Sequence, residues 1–284
     1  MQILETHTVL HQKIPIRIQE YLVGVFKIIA TKSAIKKAIK KELILVNGLS
    51  TSTAHIVVDG DVITLLKPKE ENLNKQLELN LEILYEDDYL AVIHKPAGIL
   101  VSGNKFKTID NALLQNLEKS HQPDAVRPHP VHRLDYPTTG CLLIGKTSSN
   151  IQSLNELFEQ KKVQKTYYAI TIDQMKPSGV INSAINGKQS ESHFQVVKTV
   201  NSERFGCLNL VKLSPKTGRR HQLRVHLSSI GNPILGDQEY GKEDLILKGK
   251  GLYLHASSIQ FSHPSTQEDL EINSPLPAKF KKIF

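Results

Sequence analysis

The stretch His132-Arg133-Leu134-Asp135-Tyr136-Pro137-Thr138-Thr139-Gly140 leads directly into Cys141-Leu142-Leu143-Ile144. The second run is apolar enough to be a buried strand, and turn residues precede it. Arg133 and Asp135 have the same parity, so in an extended segment they point to the same face. Residues 137–140 read as a turn, which sets Asp135 at the mouth of a structure, just ahead of a core strand. Two readings follow. Asp135 is a catalytic carboxylate, or it is half of a surface Arg–Asp pair closing a hairpin. Chemistry alone does not choose between them.

Other segments also carry chemistry. Leu213-Ser214-Pro215-Lys216-Thr217-Gly218-Arg219-Arg220-His221-Gln222-Leu223-Arg224-Val225-His226 gathers Arg219, Arg220, His221 and Arg224 within six residues. As a strand over residues 222–226 it puts His221 and His226 on opposite faces. No Cys or acidic cluster joins them, so the spacing does not fit a metal site. By itself the segment is a basic strand suited to phosphate. Lys165-Thr166-Tyr167-Tyr168-Ala169 reads as a strand, where position alone assigns a tyrosine to the core. Tyr85-Glu86-Asp87-Asp88, leading to Lys95-Pro96-Ala97-Gly98, reads as an entry strand and a glycine turn, with Lys95 positioned to touch phosphate. A metal-dependent phosphodiesterase built on His129 and His132 is a separate reading, with chelator sensitivity as its signature.

Together these segments resemble one family. Residues 132–140 are similar to the HRLDxxTSG motif of the RluA family of RNA pseudouridine synthases. Residues 217–226 resemble its TGRxHQ[IL]RxH motif, residues 165–169 its KxYxA motif, and residues 95–98 its KPxG loop. Thr139 stands where the family usually has Ser, which keeps the hydroxyl and adds a methyl group. The resemblance runs from about Ile83 to the C-terminus. It implies a sheet whose central cleft holds Asp135 as the essential carboxylate, with Arg224 reaching it and Tyr167 packing on the base, its hydroxyl also available as acid or base. A guanidinium beside a carboxylate keeps it ionised. A phenol stacked on a base is worth roughly 1–3 kcal/mol. Arg133 is expected to hold the flipped nucleotide or the gap it leaves, Arg219 to grip phosphate, and Arg220 to contact phosphate at most. The implied reaction isomerises uridine in RNA: N1–C1′ breaks, the base turns, and C5 joins C1′. It needs no cofactor and no metal. Whether Asp135 attacks C1′, attacks C6 or removes the 2′ proton stays open.

The polar stretch Lys67-Pro68-Lys69-Glu70-Glu71-Asn72-Leu73-Asn74-Lys75 marks a boundary. It divides the chain into a small unit at 1–67, a linker at 68–79 and a larger unit at 80–284. In the small unit an amphipathic helix is expected around residues 16–25. A second, capped by Thr31 or Ser33, spans 34–41 and displays Lys36, Lys37, Lys40 and Lys41. Asn47-Gly48 then signals a hairpin. Residues 1–67 hold nine Lys and Arg against five Asp and Glu. On its own, a lysine-rich helix face is usually just solvated. The whole order over residues 14–66 resembles the S4 RNA-binding domain, which presents such a helix to folded RNA.

Beyond residue 80, helices are expected at 109–118 and 151–160 and strands at 90–96, 167–172, 194–200, 207–213, 222–226 and 252–255. Strands and helices without a regular βαβ beat point to an α+β fold with a mixed, largely antiparallel sheet. The 284 residues carry 36 Lys and Arg against 28 Asp and Glu, a net charge of +8 that favours a polyanionic partner. Cys141 and Cys207 lie in apolar runs and read as thiols of a reducing compartment. Without a signal-like N-terminus or a membrane-length apolar run, a cytoplasmic protein is expected. The expected partner is RNA, large-subunit ribosomal RNA first and transfer RNA second, with no membrane and, as the family's default, a monomer. The competing class is a non-catalytic S4-type RNA-binding or ribosome-assembly protein, which would tolerate loss of Asp135, Tyr167 or Arg224.

Overall fold

A computed structural model describes residues 3–12, 14–67 and 77–284. The chain folds as two units, Met1–Lys75 and Gln76–Phe284. The expected linker falls mostly at 68–76, outside the described residues. Leu77 and Leu79, also within it, pack on the core of the second unit. Among the described residues no helix is long and apolar enough to cross a membrane.

In the first unit, Ile3–Thr8, Val62–Leu66, Ile44–Val46 and Leu49–Ser50 form an antiparallel sheet in that order. Asn47 and Gly48 turn the hairpin with φ of +50° and +79°, the left-handed pair that a tight two-residue turn needs. The helix Lys32–Lys40 is capped by Thr31, whose Oγ1 accepts from the Ala34 amide at 3.2 Å. It buries Ile35, Ala38 and Ile39 and leaves Lys36, Lys37 and Lys40 exposed, with Lys41 exposed just beyond. The helix expected at residues 16–25 is instead a two-residue strand, Ile16–Arg17, and a single turn, Ile18–Tyr21. Its β-branched residues lose rotamer freedom in a helix, and Gly24 leaves the helical region at φ +81°.

The second unit is built on a mixed, mostly antiparallel ten-stranded sheet. From one edge it runs Ser178–Asn182, Glu191–Ser202, Gly206–Pro215, Gln164–Ile172, Leu254–Ser262, Thr139–Thr147, Leu90–Lys95, Glu82–Glu86. Asp269–Asn273 and Ala125–Pro130 pair off this path. Leu90, Val92, Cys141 and Leu143 pack on one face with Leu154 of the helix Ser148–Glu159. Ala91, Ile93, Leu142 and Ile144 pack on the other with Ile109 and Leu113. Both faces are covered, which is why residues 141–144 carry no polar alternation.

A further expectation is overturned. Residues 222–226 are not a strand but the start of a helix, Gln222–Ser229. Leu223 and Leu227 are buried four residues apart, and so are Gln222 and His226. The helical period therefore serves both faces, although Leu223, Val225 and Leu227 also alternate as a strand would.

Among the described residues the sheet has one parallel contact, where Thr139 and Gly140 run beside His255 and Ala256. A row of residues crosses the sheet at this seam. Lys95 faces Gly140, Gly140 faces Ala256, Ala256 faces Tyr167 and Tyr167 faces Leu213. Gly140 has φ +113°, and a Cβ there would lie 2.1 Å from the Ala256 carbonyl oxygen. Backbone must move to admit it. Gly140→Ala is expected to cost at least ~3 kcal/mol, combining backbone strain with a clash. Denaturant titration measures this; a midpoint equal to wild type would refute it.

Candidate active site

Asp135 sits on the loop that enters the parallel seam. Leu134 is buried in the core while Arg133 is exposed and Asp135 is partly exposed. The turn comes earlier than expected, at Tyr136-Pro137, because the Thr138 amide donates to the Asp135 carbonyl at 3.1 Å and the next strand has begun by Thr139. The Gly98 amide donates to the Tyr136 carbonyl at 2.9 Å, and φ +79° at Gly98 permits the turn.

Lys95 does not face phosphate. It is fully buried, and its Nζ donates to the carbonyls of Pro96 at 2.9 Å, Thr138 at 2.8 Å and Tyr136 at 3.3 Å. Burial pushes its ammonium down to about 8, against the pull of Asp135. The side chain thus fastens the loop on both sides of the Asp135 turn. Lys95→Met keeps the apolar stem but deprives three carbonyls of their donor, so a loss of about 2–3 kcal/mol is expected. Thermal or denaturant unfolding checks this, and unchanged stability would mean that the carbonyls find other donors.

Among the described residues, two cationic or ionisable side chains pair with the Asp135 carboxylate within 4 Å, both beyond hydrogen-bond length. Arg224 Nη1 lies 3.8 Å from Oδ2, and His221 Nε2 lies 3.8 Å from Oδ1. Arg224 thus reaches Asp135 as expected, but its main partner is another acid. Its Nε and Nη2 donate to the two oxygens of Asp237, both at 2.7 Å, and Nη2 also donates to Glu239 at 3.3 Å. Its guanidinium lies 4.9 Å from the centre of the Tyr240 ring. Asp237 is fully enclosed and also accepts from the amides of Glu239 and Tyr240. Burial raises the Asp237 carboxyl, but the Arg224 fork and these amides outweigh it and hold the group below its ordinary range. Fork and acid together fix the guanidinium, with Nη1 left for Asp135.

Tyr167 enters from the strand Gln164–Ile172, at a register shift against Leu254–Ser262. A bulge there re-aims a side chain. Burial and then the Asp135 charge push its phenol above the usual range. Gln222, at the start of the helix, organises the opposite wall. Its Oε1 accepts from Thr217 Oγ1 at 2.7 Å and the Arg219 amide at 3.0 Å, while Nε2 donates to the Glu191 carbonyl and Ser192.

One cavity of about 330 Å³ collects these groups: Asp135, Tyr167, Arg224, Arg133, Arg219 and His221 all line it. Phe158 and Lys165 also border it. The five residues of this unit singled out from the sequence therefore meet, although they come from three separated segments. Lys36, Lys37, Lys40 and Lys41 belong to the other unit. Lys95, Asp237, Glu239 and Tyr240 were not foreseen in these roles. A buried arginine demands a carboxylate, but nothing in local spacing says which one. The phosphodiesterase reading does not fit the geometry. His132 Nε2 accepts from the Leu143 amide at 3.0 Å, its ring packs on Phe158, and burial drives it down to about 3. His129 is exposed and pairs with Asp110 at 3.0 Å.

A family model described as RNA pseudouridylate synthase matches residues 89–229. The chain is 36% identical to ribosomal large subunit pseudouridine synthase C of Vibrio vulnificus, over 89% of this chain and 87% of that one. It is 32% identical to ribosomal large subunit pseudouridine synthase D of Nitrosomonas europaea, over 87% and 77%. Among solved structures it is similar to human RNA pseudouridylate synthase domain containing 4. The TM-score is 0.57 and the identity 28%, covering 70% of this chain and 90% of that one.

Proposed function

The chain belongs to the RluA family of RNA pseudouridine synthases, and from that premise we propose that it isomerises uridine in large-subunit ribosomal RNA with Asp135 as the reacting carboxylate. The observation that carries this assignment is the meeting of Asp135, Tyr167 and Arg224 in one cavity. A base stacked in a duplex cannot bring C1′ or C6 to a side chain, so the uridine enters single-stranded or flipped. Asp135 then lies against the sugar or the ring, with the Arg224 guanidinium 3.8 Å away. Tyr167 packs on the base. Arg133 and Arg219, both exposed on the cavity wall, hold the displaced strand and its phosphates.

The N-terminal unit is read as an S4-like RNA-binding domain. The exposed Lys36, Lys37 and Lys40 on a capped helix, followed by the Asn47-Gly48 hairpin, support that reading. Replacing these three lysines with Glu is expected to weaken RNA binding and flatten its salt dependence, measured by filter binding across a salt series. An unchanged salt slope would count against the domain's role.

The activity is tested by tritium release from RNA labelled at uridine C5. Ribosomal and transfer RNA, prepared separately from a strain lacking the gene, form the two arms. Release from ribosomal RNA is the expected result. No release from either would defeat the function, and release from transfer RNA alone would move the substrate.

A further inference from the structure

The isomerisation moves a proton. Once C5 is joined to C1′, the C5–H bond must break, and its electron pair restores the C5=C6 double bond. N1, which left C1′ with its bonding pair, takes up a proton. Product and substrate have the same atoms, but the site needs a base beside C5. On the C6 route Asp135 is still bound to the ring at this stage, so a second group must take the proton; on the two sugar routes it is free again, 3.8 Å from His221 Nε2. Tyr167 is a poor acceptor, because burial and the Asp135 charge keep its phenol protonated.

Among the described residues lining the cavity, His221 is the imidazole that lies within 4 Å of Asp135. It precedes the helix Gln222–Ser229 from a left-handed backbone, φ +55°, which few residues other than glycine adopt. Its Nδ1 lies 3.0 Å from the Tyr240 hydroxyl and 3.4 Å from Glu239 Oε1. Its Nε2 faces Arg220 Nε, a donor, at 3.5 Å, and Asp135 at 3.8 Å. These neighbours assign the ring proton to Nδ1, beside the carboxylate, and leave the Nε2 lone pair on the Asp135 side. The charged and titratable groups around it are Asp135, Arg220, Arg224, Glu239 and Tyr240. An imidazolium formed there has a carboxylate on each side, which offsets the two arginines. Glu239 is half exposed, so a proton passed to it reaches water.

On the function proposed above, the geometry points to His221 as the catalytic base that takes the C5 proton at Nε2 and releases one from Nδ1 through Glu239. N1 is then protonated from water.

The test is single-turnover conversion of ribosomal RNA carrying 5-protio or 5-deuterio uridine by the full chain. His221→Asn keeps a residue that tolerates the left-handed backbone and removes the imidazole. Its rate is expected to fall about 10²-fold or more with RNA affinity retained. The C5 deuterium effect should rise above that of wild type as C–H cleavage becomes limiting. His221→Gly should recover rate with added imidazole. A His221→Asn enzyme at wild-type rate overturns the assignment, and so does a slowed one with the wild-type isotope effect and no rescue of the glycine variant. An inactive wild type would defeat the synthase function itself, whereas an active wild type with an indifferent His221→Asn defeats only the base.

Discussion

Asp135→Asn is expected to give a folded protein that binds RNA and releases no C5 tritium, a loss of about 10⁴-fold or more. The change is isosteric and removes only the charge. All three routes open to this residue, attack at C1′, attack at C6 and removal of the 2′ proton, require the ionised carboxylate. Stability should not suffer. The loop is held through its backbone, by Lys95 on the carbonyls of Tyr136 and Thr138 and by the Thr138 amide on the Asp135 carbonyl. The side chain's ion-pair partners among the described residues, Arg224 and His221, both lie at 3.8 Å. Moreover, Asp135, Asp237 and Glu239 share one guanidinium, so neutralising one acid relieves repulsion among them. Unchanged or slightly raised thermal stability with no turnover is the expected pair of results. Residual activity within tenfold of wild type would show that the carboxylate is not the reacting group.

Arg224→Met has the opposite signature. It strands Asp237, fully enclosed, without its cation, and removing one partner of a buried ion pair costs about 3–5 kcal/mol. The pH dependence should invert as well. In the wild type the Asp237 carboxyl is held low in the folded state. Its contribution is therefore complete above the unfolded value near 4 and is lost as pH falls through the folded value. In Arg224→Met burial is opposed only by the amides of Glu239 and Tyr240, and the carboxyl moves up. The folded state then takes a proton more readily than the unfolded chain, so stability rises as pH falls from about 7 towards 5. Adding Asp237→Leu removes the stranded charge and should restore part of the loss. Denaturant titrations at several pH values test all three statements. A single and a double variant of equal stability would mean that the pair is not coupled.

The sequence revealed the contents of the cavity better than its construction. Asp135, Tyr167 and Arg224 were legible because each sits in a long motif of unusual order. The buried strand at residues 141–144 was legible from its unbroken apolar run. The helix at Gln222–Ser229 was not, because Leu223, Val225 and Leu227 satisfy a two-residue period as well as a helical one. Ile3–Thr8 was missed because it is a mostly exposed strand without strong alternation. Lys95 looked like a phosphate ligand, since a lysine before a glycine turn is usually solvated. Only the fold reveals that the carbonyls of residues 136 and 138 lie over its Nζ. The Arg224–Asp237 fork and the His221 contacts to Glu239 and Tyr240 depend on how the chain returns after the helix. No local pattern encodes that path.

The strand Leu254–Ser262 lies between Thr139–Thr147 and Gln164–Ile172. Of this sheet's strands, only Asp269–Asn273 follows it in the chain. During synthesis the two halves emerge first and wait with facing edges unpaired, and Gly140 and Tyr167 have no common neighbour until Ala256 leaves the ribosome. Such late, distant closure makes folding slow relative to helical proteins. It also ties the appearance of the cavity to the arrival of residues 254–262, so a chain stopped short of residue 254 has the motif of Asp135 but no seam in which to hold it.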